Sequence, residues 1–193
     1  MVARTEIASV EGRKITSSIG MIFLLVSFSM LFATLLLGYA IYRVTADEWP
    51  PMGMQRVPLF LPTVSTFIIA LSSLALWKFE EFFEQKKYEN LLLPFIGTVV
   101  LGCAFMGVQF RLWSSMKDMG IFVEGGVFPS LMYSLTWIHA AHIVAGLISL
   151  LFLIPAMVSK NYDKYITTVS NVSKFWHFLG IVWLLMYVVM FVL

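Results

Sequence analysis

Apolar residues in this chain run in long blocks and do not alternate with polar ones. Five stretches contain no Asp, Glu, Lys or Arg: Ile15–Tyr42, Leu59–Trp77, Leu91–Phe110, Val127–Val158 and Phe175–Leu193. A hydrocarbon core about 30 Å thick is crossed by about 20 helical residues, so each stretch predicts one transmembrane helix. The first and fourth are longer than a crossing needs and must tilt, kink or protrude. Barrel strands would appear as alternating segments of about ten residues, and these runs are not of that kind. The pattern therefore predicts an all-α integral membrane protein, a bundle of five transmembrane helices. A short segment, 1–14, precedes a single membrane domain over 15–193, with spans at about 15–42, 59–77, 91–110, 127–158 and 175–193.

Composition agrees. Of 193 residues 60% are hydrophobic and 12% charged, against roughly a quarter charged in a soluble domain. All thirteen basic and eleven acidic residues lie in the linkers. Nine of the basic ones flank one side: Arg4, Arg13, Lys14, Lys78, Lys86, Lys87, Lys160, Lys164 and Lys174. The other side has Arg43, Arg56, Arg111 and Lys117. Cytoplasmic loops are the richer in Lys and Arg, which predicts a cytoplasmic N-terminus and an outer C-terminus. The first span is too long for a signal-peptide core and reads as a retained helix. A net charge of +2 gives no basic field for nucleic acid. The single cysteine, Cys103, excludes an internal disulfide and any CxxC motif. No internal repeat supports an inverted-repeat transporter.

Ionisable groups at membrane depth mark transport or catalysis, because they are costly there unless used. The spans hold no carboxylate, lysine or arginine, only His139, His142 and His177. His139 and His142 are three apart and share a helix face, as metal ligands can. Their spacing is too short for two stacked haems, and the second helix offers one histidine at a different depth. The reading carried forward is hydrogen bonding between helices, with a haem or other metal as the open alternative. Ser65, Thr66, Ser72, Ser73 and Thr136, with Gly97, Gly102, Ala141 and Ala145, read as helix contacts. Trp49, Trp77, Trp113 and Trp176 fall at span ends, as an interfacial belt would. Trp137 and Trp183 fall deeper, as packed residues. The segment Lys78–Asn90 (KFEEFFEQKKYEN) reads as a solvated extension of two helices.

Three segments carry a resemblance. They are Trp49-Pro50-Pro51-Met52-Gly53 followed by Pro58, Pro62 and Ser72-Ser73; Phe128–Gly146 (FPSLMYSLTWIHAAHIVAG); and Phe175-Trp176-His177-Phe178 followed by Val182-Trp183-Leu184. With Gln109 and Trp113 they resemble subunit III of haem–copper oxidases, over residues 15–193 and in its short five-helix bacterial form. The resemblance implies an accessory subunit of a respiratory terminal oxidase, most simply a cytochrome c oxidase, in the bacterial cytoplasmic (inner) membrane. It implies no cofactor in this chain, with haem and copper in partner subunits I and II. It implies packing on subunit I, bound phospholipids, support of proton uptake and turnover stability, and room for a place in a respiratory supercomplex. Lipid is expected between the first two helices and the last three. Candidate lipid or subunit contacts are Arg43, Trp49, Arg56, Ser65, His139, His142, Trp176 and His177. A quinol oxidase or nitric oxide reductase as host complex, and a free-standing carrier, are the alternatives.

The chain departs from the family pattern at its acids. Phe28 stands where relatives carry a glutamate, Gly180 where they carry an aspartate, and Leu112 where a glutamate often precedes the tryptophan. Ser65 replaces an asparagine. These departures put proton collection through buried acids in doubt and leave a scaffold and lipid-holding role.

Overall fold

The computed structural model describes residues 2–49 and 57–192, with side chains from residue 11 onward. Five helices are long and apolar enough to cross a membrane, and no strand occurs among the described residues. They are α1 (Val2–Thr45), α2 (Phe60–Glu84), α3 (Leu92–Asp118), α4 (Val127–Leu150) and α6 (Tyr162–Tyr187); the short α5 (Ile154–Ser159) completes the fourth crossing. Helices extend beyond the charge-free runs: α1 continues through 2–14, α2 runs on to Glu84, and α6 starts at Tyr162. Charge marks where lipid ends, but a hydrogen-bonded helix continues into water at little cost, and long charged side chains turn outward.

The fourth crossing is the one that kinks. A single 3₁₀ turn, Leu151–Leu153, separates α4 from α5, with Pro155 at the start of α5. Proline lacks an N–H and its ring clashes with the carbonyl four residues earlier, so the α-helix cannot pass through it. The last residues of the fifth crossing, Val188–Val192, are π-helical.

In α2 the buried positions are Pro62, Ser65, Ile69, Ser72, Leu76, Phe79 and Phe83. Steps of three and four residues make a narrow seam, which meets the seam of α3 through Thr98, Gly102, Phe105, Gln109 and Leu112. The α2–α3 pair is the most extensive, and α6 packs across α2 and α4. By contrast α1 touches the bundle along one stripe, Met21, Leu25, Phe28, Phe32, Leu36 and Tyr39, against α6 and α4. Ile19, Ile22, Phe23, Val26, Met30 and Leu37 face outward. Because α2 sits on α3 and not with α1, the described helices do not divide into two plus three, and the expected lipid cleft has no counterpart in this packing.

Candidate functional site

Bilayer interiors lack a hydrophobic drive between helices, so small residues and hydrogen bonds hold them together. Here tryptophans do much of this. Trp176 Nε1 donates to Ser72 Oγ (3.2 Å), Trp183 Nε1 to Thr66 Oγ1 (3.0 Å) and Trp113 Nε1 to Thr136 Oγ1 (3.1 Å). Each hydroxyl passes its own proton to a backbone carbonyl: Ser72 to Thr98 on α3 (3.0 Å), Thr66 to Pro62 and Thr136 to Met132. Each of these three indole N–H groups thus finds an acceptor on a second helix without exposing an unpaired hydroxyl.

Trp176 occupies the centre of this arrangement. It is fully buried and lies between Gly102 of α3 and Gly146 of α4. A Cβ on Gly102 would come within 2.8 Å of Cη2 of the indole, and one on Gly146 within 3.0 Å of its Cε3. Its full burial among the helices is not the lipid-facing position of a belt residue. The expectation for Trp137 is also reversed, since its ring is 46% exposed. Trp183 is buried as expected. Of the small residues, Gly102 does admit a close neighbour. Ala141 and Ala145 face outward, and Gly146 takes the close contact in their place.

The histidines do not bond between helices as the sequence suggested. His142 Nδ1 lies 2.6 Å from the carbonyl of Ile138 in its own helix. Its ring meets Phe28 at 4.3 Å and Phe32 at 5.4 Å. His139 is fully buried with neither ring nitrogen partnered, among Phe32, Phe105 and Trp183. Gln109, also buried, is unpartnered at both amide atoms. His177 lies in a separate outward groove between α2 and α6, with Thr66, Ser73 and Gly180. Among the described residues no group of three His, Cys, Asp or Glu is placed to hold a metal.

Arg43 and Trp49 do come together. The guanidinium sits 5.3 Å from the indole centroid and donates to the Val189 carbonyl at 3.4 Å. Trp49 packs edge-on against Phe128 (4.9 Å) and Tyr39 (5.6 Å). They line a cavity of about 280 Å³ with Phe128, Met132 and Met190. Ser65 is buried and donates to Leu61 and Pro62 within its own helix. Arg56 lies outside the described residues. The seven described candidates thus fall in at least four places, and among the described residues they do not converge on one site.

This is a multi-pass helical membrane protein in which Ser72, Thr66 and Thr136 bond across helices to tryptophans, while His139 and Gln109 are buried without a partner. The family model for cytochrome c oxidase subunit III matches residues 8–193, and the chain belongs to that family, a subunit of haem–copper oxidases. It is similar to cytochrome c oxidase subunit 3 of Synechocystis sp., 29% identical over 178 residues, covering 90% of this chain and 74% of the relative. The corresponding protein of Thermostichus vulcanus is 26% identical, covering 91% and 86%. A protein of Staphylococcus epidermidis named probable quinol oxidase subunit 3 is 27% identical, covering 86% and 81%.

Proposed function

We propose that the chain is the cofactor-free accessory subunit of a bacterial cytochrome c oxidase. In this reading it packs on the catalytic subunit I, while haem and copper reside in partner subunits I and II. It lies in the cytoplasmic membrane with its N-terminus inside and its C-terminus outside. The observation that carries the reading is the family match over residues 8–193. Support comes from the interior: three tryptophans bond across helices to hydroxyls, and Phe28 and Gly180 stand where the resemblance places acids. The subunit therefore acts through shape and lipid retention, which sustain the partner during turnover, and not by collecting protons on buried carboxylates.

Purification of the tagged chain from native membranes tests this. A haem-bearing partner should co-purify, and the separated chain should show no haem absorption. Deleting the subunit should leave haem and copper in the oxidase while activity decays faster during turnover. Loss of the haem spectrum with subunit I still present would sink the reading. The relatives named quinol oxidase subunit 3 favour one second reading, a quinol-oxidising host. Assaying the purified complex with reduced cytochrome c and with quinol separates the two, and nitric oxide reduction by that complex would reject both.

A further inference from the structure

The outward groove between α2 and α6 has a volume of about 270 Å³ and is lined by Thr66, Ala70, Ser73, His177, Gly180 and Ile181. Ser73 and His177 both fall inside charge-free runs, which sets them at membrane depth. Neither makes a hydrogen bond among the described residues, whereas the neighbouring hydroxyls Thr66 and Ser72 both donate to carbonyls. Hydroxyls that the chain shows to lipid elsewhere behave differently. On α1 the exposed Ser27, Ser29 and Thr34 each fold back on the carbonyl four residues earlier, at 2.8–2.9 Å. The Ser73 hydroxyl instead lies against α6, where a Cβ on Gly180 would come within 3.2 Å of it. An ionisable ring within a span turns to the interior or to a polar partner, because hydrocarbon offers it none. A ring and a hydroxyl left open together on an outer face therefore mark a place where another helix hydrogen-bonds.

Charge at one end of the groove narrows the occupant. Just beyond the second charge-free run, the Glu80 carboxylate of α2 accepts from the buried Ser173 hydroxyl of α6, one turn before His177. The only ion pair among the described residues, Lys78–Glu81, leaves Glu80 out. We infer that the groove seats a transmembrane helix of the haem-bearing partner. That helix presents a Lys or Arg to Glu80 and a hydrogen-bonding side chain to Ser73 and His177. The small Ala70 and Gly180 let it approach closely. An acyl chain offers no hydrogen bond at the depth of Ser73 and His177, and a second copy of this groove would set Glu80 against Glu80. The inference rests on the accessory-subunit reading above. It adds the face by which the chain docks and the chemistry its partner must present there.

A photo-crosslinking residue at the exposed Ile181 or Leu184 of the full chain, illuminated in native membranes, tests the seat. The adduct should be with the haem-bearing polypeptide, identified by mass spectrometry. His177→Leu and Ser73→Ala should not lower the thermal midpoint of the separated chain, because neither group is bonded within it. Both should weaken retention of the chain by the complex several-fold in a detergent titration. Glu80→Gln should weaken retention too, and should remove its dependence on salt. The crosslink is read without these variants, so it decides the matter even where one fails to fold. Adducts only with lipid or with a second copy, while the haem-bearing polypeptide still co-purifies, would overturn the groove and leave the accessory-subunit reading intact. Retention unchanged in all three variants would do the same. Failure of any haem-bearing polypeptide to co-purify would overturn both.

Discussion

The phenyl ring of Phe28 meets the imidazole of His142 edge-on, with centroids 4.3 Å apart and planes at 83°. This contact joins α1 to α4. An aromatic contact, with Phe175 beside it at 6.0 Å, thus holds the middle of α1 on the bundle, between the packing of Met21 and Leu25 and that of Leu36 and Tyr39. Aromatic pairs contribute roughly 0.5–1.5 kcal/mol beyond the area they bury. Phe28→Ala should therefore cost about 2 kcal/mol, near half the loss expected for a fully buried phenylalanine. The loosening should be local: protease cleavage and hydrogen exchange should rise in α1 before the rest of the bundle changes. Uniform destabilisation, or none, would count against α1 hanging on this contact.

The Trp176 indole is gripped by two glycines on different helices. Gly102→Ala and Gly146→Ala should each overpack the interior and lower stability by about 1–3 kcal/mol, read as a fall in thermal midpoint in detergent. Gly97→Ala serves as the control, because its Cβ would meet only Ala75 at 3.7 Å. Trp176→Phe removes the donor to Ser72, and Ser72→Ala removes the acceptor. If the 3.2 Å bond contributes, the double variant should be less damaging than the sum of the singles.

How much of this was legible follows from what each signal measures. Charge-free runs located five crossings because burying charge in hydrocarbon is prohibitive, but they gave no helix ends, since a helix is free to continue into water. Trp176 and His177, read as opening the fifth run, accordingly lie near the middle of α6 (Tyr162–Tyr187). Length announced only that the first and fourth runs would tilt, kink or protrude; the 3₁₀ turn Leu151–Leu153 beside Pro155 is where the fourth breaks. Which face of a hydrophobic helix turns inward was not legible, because in lipid both faces are apolar; Trp137 and the pair Ala141 and Ala145 were turned the wrong way for that reason.

His139 provides a sharp test of what a buried polar group does here. With both ring nitrogens unpartnered, it gives up hydration for no hydrogen bond. Replacing an unsatisfied group with an apolar one of similar size is nearly neutral or stabilising, whereas breaking a made bond is costly. His139→Leu should shift the thermal midpoint little or upward, while Thr136→Val, which strips Trp113 of its acceptor, should destabilise by about 1 kcal/mol or more. A fall for His139→Leu as large as that for Thr136→Val would mean that the imidazole has a partner, such as water, in the membrane.

Orientation rests on nine Lys and Arg against four, and it is directly measurable. With Cys103 replaced by Ala, single cysteines at Lys86 and Asn161 should react with a membrane-impermeant maleimide only after cells are opened. One at Lys117 should react in intact cells. The reverse labelling would invert the topology.

Arg43 closes the far end of the bundle. The last carbonyls of a helix have no partner within it, and the final turn of the fifth crossing is π-helical. Arg43 donates to the Val189 carbonyl and Tyr39 to that of Met190 at 3.3 Å, so α1 supplies the donors. A cation at a helix C-terminus is also favoured by the dipole. Arg43→Gln should remove the charge, the contact over Trp49 and the reach to Val189, costing about 1 kcal/mol. Arg43→Lys should retain part of the charge effect and lose the planar contact. Hydrogen exchange at residues 188–192 should speed up in both variants, and more in Gln than in Lys. Unchanged exchange there would show that the terminal turn is held by its own packing and that Arg43 is free to serve another partner.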